Sequence, residues 1–96
     1  MEYSVSTELY LEVADRIREA VGGGSYFSGT LAFGFGGVEC RLTATLIVYR
    51  TRVSYPEGER DEITDLVPVW WEFHTVDPTS DELLNDFSFA TLRSLL

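Results

Sequence analysis

Glu72 and His74 stand two residues apart, so on a β-strand their side chains leave the same face. The strand register argued below places Arg41 opposite His74. A carboxylate, an imidazole and a guanidinium together can position a proton and hold a carboxylate or phosphate. A metal site needs further ligands, and the chain has one histidine and one cysteine. A flat sheet face also admits water, which weakens the electrostatic leverage of a catalytic site. Arg41, Glu72 and His74 are therefore candidate ligand-binding residues, expected to form a solvated cross-strand charge cluster. No catalytic residue, metal or cofactor is expected, and neither is enzymatic activity.

The remaining reactive residue types point to structure. Cys40 falls at a core-facing position with no evident low-pKa environment, so an inert buried thiol is expected. Gly34-Phe35-Gly36-Gly37 lacks the Lys-Ser/Thr ending of a phosphate-binding loop and leads into a strand, so it reads as a hairpin turn. Arg50 and Arg52 have acidic neighbours in the run Glu57, Glu59, Asp61, Glu62 and Asp65, with Arg50 expected opposite Asp65.

The elements that position these residues follow from hydrophobic spacing. Tyr10, Val13, Ala14, Ile17, Ala20 and Val21 recur at helical intervals, which predicts a helix over Thr7 to Val21. Ser6 is placed to cap it, Val5 and Tyr10 to staple it, Glu12 and Arg16 to pair along it, and Gly22 to Gly24 to end it. From Tyr26 to Thr75 the period changes to two. Phe27, Gly29, Leu31 and Phe33 share one face of a first strand; Leu42, Ala44, Leu46 and Val48 one face of a second; Val67, Val69, Trp71 and Phe73 one face of a third. A two-residue turn at Gly36 and Gly37 pairs Phe33 with Cys40, Leu31 with Leu42, Gly29 with Ala44 and Phe27 with Leu46. A second turn centred on Glu57 and Gly58 pairs Val48 with Val67, Leu46 with Val69, Ala44 with Trp71 and Leu42 with Phe73. Trp71, beside Gly29 and Ala44, is expected to be the centre of the core, and Trp70 to face the other way. Pro68 cannot donate to a ladder, so the third strand should be an edge. Thr79 and Glu82 match a capping box, so a second helix is expected from near Ser80. Leu83, Leu84, Phe87 and Ala90 would face the sheet. Phe89, Leu92 and Leu96 fall on another side, which implies a wide buried face, a break near Ser88, or a partner. The expected fold is α+β in one domain over residues 1–96. It is a two-layer sandwich ordered helix-strand-strand-strand-helix around a three-stranded antiparallel meander.

Two helices on the core face leave the other sheet face open. There the register gathers Tyr26, Ile47, Tyr49, Leu66, Pro68 and Trp70, more apolar surface than a solvated face normally carries. These six residues are the candidate interface, with a homodimer as its simplest use. Sixteen acidic against seven basic residues give a net charge of −9, which disfavours nucleic acid and anionic membrane surfaces as partners. The lone cysteine and the lack of a signal-like or long apolar stretch fit a cytoplasmic setting. All seven basic residues are arginine, for which there is no physical account. In order of elements and acidic charge the chain resembles the small acidic chaperones of bacterial secretion systems, which dimerise. The likeness involves no sequence motif, and the chain lacks room for that fold's further strands and helix. What is expected is a non-enzymatic protein-interaction or accessory module. The alternative is a small-ligand-binding protein or minor enzyme centred on Arg41, Glu72 and His74.

Overall fold

The Ser6 hydroxyl accepts the Leu9 amide at 3.2 Å and starts helix α1, Thr7–Val21. Gly22 ends it at φ 57°, a conformation glycine adopts at least cost. These bounds match the sequence reading. The buried face differs by one residue at each end: Leu9 is buried, whereas Ala20 is exposed. The structure, a computed structural model, describes residues 2–95.

The fold is α+β. Strands β2 (Tyr26–Phe35), β3 (Val38–Tyr55), β4 (Gly58–Val76) and β5 (Glu82–Asn85) pair antiparallel in the order β5-β4-β3-β2. A two-residue strand β1, Glu2–Tyr3, runs parallel to β5 at the far edge. Helix α2, Phe89–Ser94, follows. The expected meander is thus the centre of the sheet, and two short strands extend it beyond the expected three.

The β2–β3 hairpin has the expected register throughout, with Phe33 opposite Cys40 and Gly29 opposite Ala44. Gly36 and Gly37 have φ of 57° and 83°, the two positive values a tight hairpin of this hand requires. The β3–β4 register holds from Arg41 opposite His74 to Ala44 opposite Trp71, then shifts twice. Between Thr45 and Leu46 the partner jumps from Trp70 to Pro68, so Val69 is an extra, bulged residue. Between Tyr49 and Arg50 it jumps from Asp65 to Ile63, and Thr64 donates its hydroxyl to the Tyr49 carbonyl at 3.2 Å. The first shift overturns the pairs Val48–Val67 and Leu46–Val69; the observed pairs are Val48–Leu66 and Leu46–Pro68. Its cause is Pro68, which has no N–H for the ladder and is accommodated at a bulge. The second turn accordingly lies at Pro56 and Glu57, with Tyr55 opposite Gly58.

The helix expected from Ser80 is replaced by a turn, strand β5 and the short α2. The Asp77 carboxylate accepts the Thr79 and Asp81 amides at 2.9 and 3.0 Å, and so takes the capping role assigned to Thr79. The chain reverses there, and Thr75 and Val76 pair with Leu83 and Glu82. The break near Ser88 is the alternative realised, since Ser88 is the N-cap residue of α2. Leu96 lies outside the described residues.

The core brings α1 residues Leu9, Val13, Ala14 and Ile17 against Cys40, Leu42, Ala44, Leu46 and Val48 of β3, closed by Phe87, Phe89 and Leu92. Its aromatic centre is Phe87 rather than Trp71. The Phe87 ring centroid lies 4.2 Å from that of Phe73, 5.2 Å from Tyr10 and 5.4 Å from Trp71. Trp71 is half-buried, and the space above Gly29 is taken by the Phe27 ring.

Candidate functional site: the open sheet face

Strand alternation turns Ile47 and Tyr49 of β3 away from α1, with Tyr26 opposite Ile47 and Trp70 opposite Thr45. Tyr26, Ile47, Tyr49 and Trp70 are all exposed, Trp70 at 49% against a half-buried Trp71. The two expected tryptophan faces are therefore observed. Leu66 and Pro68 leave the candidate face: the bulge at Val69 pairs Leu66 with core-facing Val48, where it is fully buried. The same bulge draws Pro68 opposite core-facing Leu46, where it is half-buried. In exchange Val67 comes opposite Ile47, and Val69 is 65% exposed. The signal available in the sequence was Pro68 itself, a residue that within a paired strand calls for a bulge or an edge.

The middle of the face is a hydroxyl ladder, with Ser28 bonded to Thr45 at 3.1 Å and Thr30 to Thr43 at 2.9 Å. Beyond it stands the charge cluster. His74 Nε2 meets Glu72 Oε2 at 3.1 Å, and Nδ1 bonds the Glu82 carboxylate. Hydrogen bonding to Glu72, then to Glu82, raises the His74 pKa above its ordinary value, against a smaller opposing effect of burial. Arg41 is opposite His74 as expected, but its guanidinium turns to Glu39 at 3.0 Å. The sequence reading missed Glu82, because it assigned that residue to a helix.

This arrangement determines what the cluster can do. With both ring nitrogens facing carboxylates, His74 offers no free nitrogen as a base, and the two carboxylates favour its protonated form. A depression of about 390 Å³ borders His74, between Trp71, Glu82, Leu84 and Phe87. Arg41 and Glu72 do not line it. Among the described residues, no group of three or more histidine, cysteine or acidic side chains is arranged to hold a metal ion. Cys40 is buried, and its pKa is pushed up to about 11 by desolvation and then by the Glu39 charge, so its thiol stays protonated.

The other arginines are structural. Arg50 donates to the carbonyls of Gly24 and Gly22, tying β3 to the carboxyl end of α1, in place of the expected contact with Asp65. Asp65 instead receives both arms of Arg93 from α2, at 3.0 and 2.7 Å. Arg52 has the local acidic partners expected, Asp61 and Glu59, at 3.3 and 3.4 Å.

No described helix is long and apolar enough to cross a membrane. No family model matches the chain, and comparison with curated proteins and with solved structures gave no match.

Proposed function

We propose that the chain is a non-enzymatic protein-interaction module of the cytoplasm, with the apolar end of the open sheet face as its docking surface. One observation carries this reading: Tyr26, Ile47, Tyr49 and Trp70 stand exposed together on a face that polar residues would normally cover. Trp70 is the anchor, because large aromatics dominate interface energetics. The partner is another protein or a second copy of this chain, a homodimer being the simplest form.

The test compares wild type with Trp70→Glu as bait in native extract, alongside the mass of each by light scattering. A stoichiometric polypeptide retained by wild type and lost by Trp70→Glu, with the variant still folded, is the expected result. Equal behaviour of the two baits would sink the reading.

The second reading, a small-ligand site at Arg41, Glu72 and His74, draws on the depression beside His74. Against it stand the engagement of both His74 nitrogens and the turn of Arg41 to Glu39.

A further inference from the structure

We propose that two copies of this chain pair through the outer edge of β2, antiparallel about a two-fold axis at Thr30. The inference stands on the strand edge and is independent of the docking face. In a two-residue hairpin the residues flanking the turn, Phe35 and Val38, exchange both backbone hydrogen bonds. From there the odd-numbered residues of β2 direct their N–H and C=O groups to β3; in keeping with this, the Ser25 carbonyl accepts the Val48 amide at 2.9 Å. The even-numbered residues Tyr26, Ser28, Thr30, Ala32 and Gly34 direct theirs outward, where, among the described residues, the sheet has no further strand.

An edge of this kind is a template for another strand, and proteins usually blunt it with charge, proline or bulges. The molecule does so on one side only. The free stretch of β4 carries Pro68, the bulges at Val69 and Thr64, and four acidic residues between Glu59 and Asp65. Strand β2 has ten residues, none charged, no proline and no irregularity in its pairing. It also lies inside the uncharged run from Ala20 to Val38, the longest in the chain.

A second copy fits because β2 is complementary to itself in one register. An axis at Thr30 places Thr30 opposite its own copy, Ser28 opposite Ala32 and Tyr26 opposite Gly34 on the open face. On the helix side it places Phe27 opposite Phe33 and Gly29 opposite Leu31. Gly34 has open space above it for the Tyr26 side chain, Leu31 meets the Phe27 ring that lies over Gly29, and all five outward residues become hydrogen-bonded pairs, with about ten interchain bonds. Arg16 and Glu19 of α1 flank Leu31 at this edge, so both signs of charge are present where the helices approach. For two molecules of net charge −9 this strip is the uncharged place to meet. Nine paired residues span about 31 Å. A strip of that length buries roughly 600–800 Å² in total, which is small for a specific interface and gives a dimer that dissociates on dilution.

The test is sedimentation equilibrium across a concentration series, with amide exchange measured at both ends of it. Two variants probe the edge. Thr30→Pro removes an outward N–H and the hydroxyl bond to Thr43 but leaves the β2–β3 backbone bonds in place, and Ala32→Lys adds charge to the edge without touching the ladder. Each should weaken association at least tenfold, and in wild type the amides of Ser28, Thr30 and Ala32 should exchange more slowly at high concentration. Trp70→Glu should leave this dimer unchanged. A wild type that is monomeric up to about 1 mM, a Kd too weak for a specific dimer, would overturn the proposal. So would a folded Ala32→Lys that associates like wild type, edge amides indifferent to concentration, or association lost in Trp70→Glu alone.

Discussion

His74 is the only titratable side chain here whose charge changes near neutral pH in an ordinary environment, and two carboxylates hold it. Its folded-state pKa lies above the unfolded value, so protonated His74 stabilises the fold below about pH 6.5. That contribution is lost as pH rises through the folded pKa. The side chain is 43% exposed, so solvent screening limits the effect to at most about 1 kcal/mol. In urea titrations at pH 5.5 and 8.5, wild type should exceed His74→Gln by more at the lower pH; an equal gap at both would refute the ion-pair assignment. Deeper in the molecule, Phe87 touches four other aromatic rings and is buried. Phe87→Ala should cost about 3–5 kcal/mol by denaturant unfolding, and more than Trp71→Ala, whose ring is half-buried. The sequence ranked these two in the opposite order. Trp71 stood out by size, whereas the position of Phe87 depends on a chain reversal at Asp77 that local spacing did not reveal.

At the scale of elements, legibility followed the range of the interactions that decide each one. Helix α1 is specified by neighbours in sequence: a cap, a staple, a 3.6-residue period and a glycine stop. Ser6→Ala should therefore cost about 1 kcal/mol, measured by thermal or urea unfolding, whereas Ser4→Ala should be neutral. The β2–β3 hairpin was equally legible, because Gly36-Gly37 sets its turn and two-residue alternation sets its faces. Strand β4 was legible only as far as Trp70. A bulge leaves the alternation on either side intact and changes its phase, so a run of Val, Pro, Val and Trp reads the same with or without the extra residue. That single shift removed Leu66 and Pro68 from the candidate face. Strand β5 was missed for a different reason. Thr79 and Glu82 carry a helix-start signature, but Asp77 captures the amides of Thr79 and Asp81, and Glu82 spends its carboxylate on His74. A tertiary contact decided between two local options of similar worth.

The whole molecule is long for its size, measuring 49 × 25 × 19 Å with a radius of gyration of 14.7 Å. A compact chain of this length would have a radius near 12.5 Å. The excess comes from the far ends of β3 and β4, which run past β2 as a two-stranded arm from Arg50 to Ile63. The arm's turn end carries acidic residues from Glu57 to Glu62, whereas the uncharged run lies at the opposite edge in β2. Charge is thus distributed so that two copies repel at long range and can meet along β2 without charge opposition. The dependence of self-association on salt follows with a definite sign. At about 10 mM ionic strength the screening length is near 30 Å, comparable to the molecule, and falls to about 8 Å at 150 mM. Added salt therefore removes most of the repulsion between two −9 molecules and leaves the backbone pairing nearly untouched. The association constant from sedimentation equilibrium should rise severalfold between these two conditions. A contact made by docking the basic segment of residues 22–55, net +2, onto the acidic segment 56–96, net −8, would weaken with salt instead. A falling association constant would rule out the uncharged β2 edge as the dominant contact, and a rising one would rule out charge pairing.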